Sequence, residues 1–421
     1  MKYTLKCCDC GYSFRGSGFD FSCPHGCDSL VKTVYHKKTI TFQEHQGIWR
    51  YVDWLPVEKT TDYDGRSITY KSSGLAEELG LKNLYVSFNG FWPERSGLVK
   101  TCTFKEYEAV VTLQYARENG IGEFLIASAG NVANAFGYVA SLEKSKVVLV
   151  VPEKALPNLK VPYVDEECVK LVGVDGEFSD AISIVKKLYS TGIPFDSGGK
   201  SVARRDALST PMLAAVEHIG RIPKHYFQSI SSGTGAVAAF EAAERLQEDG
   251  RFGKNFLKIH VSQNKPFTPA VKAWKERRRK LQEQDFEVKN PLDHIYAKVL
   301  SNKEPIYGIK GGIFDALSDT QGEAYGITNE EAIEAAKLFE DLEGIDIVSA
   351  AAVAVASLLK AIDQGKVDPK DDILLNVTGG GLKRVEEDVG LVTMKSNMRA
   401  NNSTPLEELG ELVDEHFSGH H

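Results

Sequence analysis

The chain of 421 residues lacks any apolar run long enough to cross a bilayer. Its longest uncharged apolar stretch, Ile347 to Leu359, is short and rich in alanine, and reads as a buried helix. An excess of positive charge is also missing. Fifty Lys and Arg against 58 Asp and Glu leave a formal charge of −8, which argues against a nucleic-acid surface. The one basic run, Lys272 to Lys280, follows the helix start Thr268-Pro269 and reads as a solvated helix face. No unit recurs at a fixed short period, which removes solenoids and propellers. Cysteine is scarce after residue 27, where only Cys102 and Cys168 remain. Met1-Lys2-Tyr3-Thr4-Leu5-Lys6 leads straight into cysteines and does not have the pattern of a secretory leader. A cytoplasmic location is expected.

What is present starts with five cysteines, Cys7, Cys8, Cys10, Cys23 and Cys27. In a reducing compartment such crowding points to metal rather than to disulfides. Cys7-x-x-Cys10-Gly11 and Cys23-x-x-x-Cys27 have the spacing of two knuckles closing a structural zinc site, with His25 as a possible substitute ligand. Unmetallated thiols on a small ribbon are the plain alternative. The remaining composition, 42% hydrophobic and 26% charged, is ordinary for a globular protein, and the length favours two large domains plus an appendage.

From Lys105 onward, strands and helices alternate. A helix from Lys105 to Asn119 precedes the short strand Phe124–Ala127, the helix Val132–Leu142 and the strand Val147–Val151. The strand Val169–Val172 and helix Asp180–Tyr189 follow. A second set has strands at Tyr226–Ile230, Leu257–Val261 and Ile373–Val377. Its helices fall at Ala236–Gln247, Asn329–Asp341 and Ser349–Ile362, the second opened by the capping box Thr328-x-x-Glu331. The polar end of the chain has one helical segment, Leu406–Phe417. Alternation at this spacing predicts right-handed crossovers and parallel sheets covered on both faces.

Three polar loops sit where a strand gives way to a helix or turn. Ser232-Gly233-Thr234-Gly235 can present backbone N–H groups and a helix's positive end to a phosphate, although glycine also serves packing at such turns. In Ser128-Ala129-Gly130-Asn131, the asparagine amide suits a ring hydroxyl, or simply an N-cap. Thr378, before three glycines, offers a hydroxyl to a ring nitrogen or to its own turn. Lys105, in Thr101-Cys102-Thr103-Phe104-Lys105-Glu106, supplies an amine able to form a Schiff base. Together the four sites suggest pyridoxal 5'-phosphate.

These residues resemble the threonine synthase family of pyridoxal phosphate enzymes, over nearly the whole chain. Thr103-Phe104-Lys105 matches the family's Ser-Phe-Lys-like motif, and Ser128 to Asn131, Gly233-Thr234-Gly235 and Thr378 match its cofactor loops. The resemblance implies the type II fold: two doubly wound α/β domains of the tryptophan synthase β-like type, with the cofactor between them and a zinc-ribbon-like appendage. The corresponding division is residues 1–35 for the appendage and 36–101 with 218–398 for the larger cofactor-binding domain. Residues 102–217 would form the smaller domain and 399–421 a tail.

Within that family the likeness is greater to the cysteate synthases of methanogenic archaea. Thr101-Cys102-Thr103-Phe104-Lys105-Glu106, Val202-Ala203-Arg204-Arg205-Asp206 and Asn376-Val377-Thr378-Gly379-Gly380-Gly381 are among the stretches that carry it. Cys102 replaces the usual glycine, and Lys105-Glu106-Tyr107 replaces Lys-Asp-Arg. The implied reaction converts O-phosphoserine and sulfite into cysteate and phosphate, an early step toward coenzyme M. Alternatives are a threonine synthase using phosphohomoserine and a cysteine synthase using sulfide. Two polyanionic substrates require cations, and Arg95, Lys100, Arg204, Arg205 and Lys310 are candidates because they lie in or beside the resembling stretches, with Ser128 facing a substrate carboxylate. Small-molecule partners and a homo-oligomer are expected, with no nucleic acid and no membrane.

Overall fold

The strand-helix alternation resolves into two separate sheets. The computed structural model describes residues 2–16, 18–19, 21–128, 130–190 and 192–417, with side chains excepted over 412–417. The last four residues of the predicted tail and Ala129 of the second loop therefore lie outside the described residues.

The larger sheet has six strands in the order Glu323–Ile327, Lys258–Asn264, His225–Ser229, Asp372–Val377, Asn83–Phe88 and Ile68–Lys71. The first five are parallel, and only Ile68–Lys71 runs antiparallel at the edge. The alanine-rich helix Ser349–Asp363 and the helix Asn329–Glu343 bury one face of it. Helix Thr234–Asp249 covers the other. The expected capping box is formed, with Glu331 N–H donating to Thr328 Oγ1 at 3.2 Å and Thr328 N–H to Glu331 Oε2 at 2.7 Å. Burial on both faces explains why these strands read as unbroken apolar runs.

The smaller sheet is parallel throughout, in the order Met398–Ala400, Val169–Val174, Lys146–Pro152 and Glu123–Ala127. Helices Lys105–Glu118 and Asn131–Glu143 pack on one face and Phe178–Tyr189 on the other. The segment after 398 does more than trail: it adds an edge strand here, and Leu409 of the terminal helix is buried against the same sheet.

One long helix escaped the sequence pattern. Val202–Ile219 is buried on almost every side, so it has no polar stripe to reveal a period of 3.6, and Pro211 stands within it. Its first half, Val202 to Leu208, joins the core of the lysine helix, while Met212 to Val216 belong to the core of the larger sheet. This helix ties the two units together.

Under the larger sheet lies a buried hydrogen-bonded row. His225 Nδ1 and His260 Nε2 are 2.9 Å apart, His260 Nδ1 is 3.2 Å from the Tyr325 hydroxyl, and His225 Nε2 is 3.0 Å from Asp371. One neutral arrangement satisfies every atom: Tyr325 O–H donates to His260 Nδ1, His260 Nε2–H to His225 Nδ1, and His225 Nε2–H to Asp371. Burial pushes both imidazoles below their ordinary range; Asp371 opposes this at His225, and His225 reinforces it at His260. The unfolded chain therefore binds the extra protons. Stability from this row is present above about pH 6.5 and is lost as pH falls, by up to about 1.4 kcal/mol per group per pH unit. Urea denaturation of wild type and His260→Gln at pH 7.5 and pH 5.5 checks this. The variant should show the shallower loss, and equal losses would refute the assignment.

Candidate active site

All three polar loops leave the carboxyl ends of parallel strands: residues 128–131 after Glu123–Ala127, 230–235 after His225–Ser229, and 378–381 after Asp372–Val377. In open α/β sheets this is the edge where ligands bind. The lysine motif is stitched to the third loop. Phe104 N–H donates to the Thr378 carbonyl at 3.0 Å, Gly380 N–H donates to the Cys102 carbonyl at 3.1 Å, and Thr103 bridges Gly379. Lys105 opens its helix, with its ammonium 4.9 Å from the centre of the Phe104 ring.

That ring also meets the glycine loop. A Cβ built on Gly235 would come within 2.9 Å of Phe104 and 2.6 Å of the Gln228 amide, so no side chain fits there. Gly233 has φ of +88°, which favours glycine, and a Cβ would strike Ile313 at 2.6 Å. The loop therefore exposes bare backbone at the N-terminus of a 16-residue helix. Beneath it runs a polar network the sequence did not reveal. Asn376 Nδ2 donates to the Tyr226 hydroxyl at 2.7 Å and to Gln228 Oε1 at 2.8 Å, while Asn89 Nδ2 donates to Asn376 Oδ1 at 2.7 Å. It joins the strands that lead into the glycine loop and the Thr378 loop to a common floor.

Asn131 is the first residue within its helix, and Gly130 holds the cap position, so Asn131 is not the N-cap. Ser128 does the capping work: its hydroxyl accepts the Ala133 N–H at 3.1 Å. Cys102 has φ of +56° and is buried. The turn before Lys105 thus demands a left-handed residue, which gives the family's usual glycine a conformational reason. Glu106 fixes the same turn, accepting the Thr101 N–H at 2.6 Å and the Tyr63 hydroxyl at 3.0 Å. Burial raises its carboxyl above the usual range, against those hydrogen bonds.

The candidate cations part ways. Arg205 is fully buried; its Nε donates to Glu241 at 3.1 Å, Nη1 to the carbonyls of Gly199 and Lys200, and Nη2 to the Val31 carbonyl. All three nitrogens of its guanidinium are engaged inside the fold, on Glu241, on the turn at Gly199 and Lys200, and on Val31 of the cysteine ribbon, which leaves none turned toward a substrate anion. Arg204 is buried between Glu108, at 3.3 Å, and Asp196, at 2.7 Å. Arg95 stacks 4.4 Å from the Tyr70 ring centre and 4.6 Å from that of Trp92. Lys310 lies at the ribbon junction, where its carbonyl accepts the Leu30 N–H and its ammonium is 3.7 Å from Asp315. Lys100 is half-buried in the turn that precedes the lysine motif.

At the other end of the chain, sulfur atoms of Cys7, Cys10, Cys23 and Cys27 lie within 4.8 Å of one another. Cys10 and Cys23 are 3.7 Å apart, close to the roughly 3.8 Å that tetrahedral zinc–thiolate bonds impose. His25 Nδ1 is 3.8 Å from Cys10, and Cys8 faces away toward Gly311. Burial opposes ionisation of Cys7, but the Ser29 hydroxyl and the N–H groups of Cys10 and Asp9 outweigh it and lower the thiol to about 6.

Residues 61–379 match the family model described as pyridoxal-phosphate dependent enzyme, and the chain belongs to that family. Its curated relatives narrow the likeness. It is 43% identical over 414 residues to cysteate synthase of Methanosarcina mazei, covering 97% of this chain and 99% of that one. To cysteate synthase of Methanocella paludicola it is 43% identical over 418 residues, covering 98% and 97%. Among solved structures, maize serine racemase superposes with a TM-score of 0.57 at 15% identity, over 85% of this chain and 94% of that one. That last likeness speaks for the type II fold alone. The protein is a pyridoxal phosphate-dependent enzyme, and no helix among the described residues is long and apolar enough to cross a membrane.

Proposed function

We propose that the protein is a cysteate synthase, replacing the phosphate of O-phospho-L-serine with sulfite to give L-cysteate on the way to coenzyme M. The observation that supports this most is full-length similarity to cysteate synthases, combined with a lysine motif hydrogen-bonded to the Thr378 loop and packed on the glycine loop.

The residues suit pyridoxal phosphate. Gly233 and Gly235 leave a cradle that a Cβ would fill, and the buried hydroxyls of Ser229, at the end of the strand before that loop, and of Thr103, beside Gly379, have no hydrogen-bond partner among the described residues. In this reading the N–H groups of Gly233, Thr234 and Gly235 hold the cofactor's phosphate, aided by the positive end of the helix. Asn131 would meet the ring hydroxyl and Thr378 the ring nitrogen, while Lys105 would hold the cofactor covalently. When bound, the cofactor supplies an electron sink for the substrate's Cα carbanion. Lys105 Nζ removes the Cα proton and later returns it. Ser128, Arg95 and Lys100 remain candidates for orienting the substrate anions. The two α/β units would close around the reacting carbon, excluding water so that sulfite adds at Cβ instead.

The deciding experiment supplies phosphoserine with sulfite, sulfide or water, and separately phosphohomoserine, then identifies the amino acid formed. Cysteate as main product supports the reading. Faster turnover of phosphohomoserine, or a preference for sulfide, would replace it with the threonine or cysteine synthase alternative.

Cys7, Cys10, Cys23 and Cys27 would hold a structural zinc, because four thiolates close the coordination shell. Elemental analysis should find about one zinc per chain, lost in Cys10→Ser together with thermal stability. Metal-free wild type of unchanged stability would rule the site out.

A further inference from the structure

Glu108 lies one helical turn after Lys105, and its Oε1 is 2.7 Å from the lysine ammonium. The carboxylate is 1% exposed, whereas the Lys105 side chain is 19% exposed, so the pair opens on the lysine side only. The second oxygen of Glu108 meets Arg204 Nη1 at 3.3 Å, and Arg204 in turn is held by Asp196 at 2.7 Å. Asp196 accepts the Gly198 N–H at 2.9 Å, and a Cβ on the next residue, Gly199, would lie 3.0 Å from the Thr234 hydroxyl. A buried line of alternating charge thus runs from the amine to the phosphate loop: ammonium, carboxylate, guanidinium, carboxylate.

We propose that Glu108 positions Lys105 and accepts its proton whenever that amine condenses with a carbonyl carbon. The inference rests on Lys105 being the cofactor lysine. With the ammonium present, two cations offset two carboxylates. Condensation passes through the free amine: one proton must first leave nitrogen, after which the amine lone pair attacks the carbonyl carbon and its two remaining protons depart with the carbonyl oxygen as water. If Glu108 stayed ionised beside that neutral amine, a buried carboxylate would share one guanidinium already engaged by Asp196, an arrangement that burial penalises. Transfer of the ammonium proton to Glu108 Oε1, over a contact already at hydrogen-bond distance, leaves Arg204 and Asp196 as a balanced pair and Glu108 as a neutral acid. That acid is placed to return the proton when the amine is released.

The test uses cofactor-free protein, to which pyridoxal phosphate is added. The growth of visible absorbance gives the rate of adduct formation, and borohydride reduction with peptide mass mapping locates the adduct. Glu108→Gln and Glu108→Ala should slow formation at Lys105 by about 10- to 100-fold, the scale of a lost general base. Glu108→Asp should recover part of the rate, and added formate should accelerate Glu108→Ala but not Glu108→Gln. A merely structural glutamate would give no formate response. Wild-type rates in both variants, or a folded Glu108→Ala that formate leaves slow, would overturn the proposal. An adduct mapping to another lysine in the wild type would instead overturn the Lys105 assignment beneath it.

Discussion

Lys105→Ala is expected to reduce turnover by at least about a thousandfold, because it deletes both the covalent anchor and the base, and a base alone is commonly worth about 10²- to 10⁴-fold. Purified variant should lack the visible absorbance of lysine-bound cofactor and yield no borohydride-stable adduct. The glycine loop, the Thr378 loop and the polar floor of Tyr226, Gln228, Asn376 and Asn89 remain, so the variant should still take up pyridoxal phosphate reversibly. Absorbance unchanged from the wild type, or an adduct that survives reduction in the variant, would refute the role of Lys105. Retained binding with lost turnover separates this chemical effect from collapse of the site.

Arg205→Met should have the largest effect on stability. It leaves Glu241 buried with Arg245, 3.8 Å away, as its one ion-pair partner among the described residues, and leaves the carbonyls of Val31, Gly199 and Lys200 without the guanidinium that donates to them. Breaking a buried pair from one side costs about 3–5 kcal/mol. Glu241 is already held above the usual carboxylate range by burial, with Arg205 and Arg245 pulling it back, so removing Arg205 drives it further toward the neutral acid. Urea and thermal denaturation read the loss. The folded fraction should keep an almost unchanged KM for phosphoserine. A KM raised tenfold at wild-type stability would return Arg205 to the substrate site.

The contrast between Arg204 and Arg205 shows where reading a sequence stops. The two are adjacent, of one type, and lie in one resembling stretch, yet they point to different sides of their helix and meet different partners. Arg204 joins the lysine helix through Glu108, 96 positions earlier, and Arg205 joins the ribbon through Val31, 174 positions earlier. Nothing local records partners at such separations. Glu108 is silent in the sequence for the same reason: it resembles any helical glutamate until burial and two cations single it out. The helix Val202–Ile219 was hidden because complete burial erases amphipathic contrast. Cys102 was legible as a departure from glycine, but the left-handed backbone that explains the departure appears only in three dimensions.

By itself the sequence determined the parallel strand-helix alternation, the four cysteines able to share a metal, and the three polar loops with their lysine. These properties are local: periodicity, glycine at strand ends and knuckle spacing follow from backbone geometry over a few residues. The tertiary structure decided which distant groups meet. It set Phe104 on both the Thr378 and Gly235 loops, drew the chain's end into the smaller sheet, and assigned each buried arginine its carboxylates. Burial makes those pairings matter, since a charge removed from water must find its counter-charge within the fold.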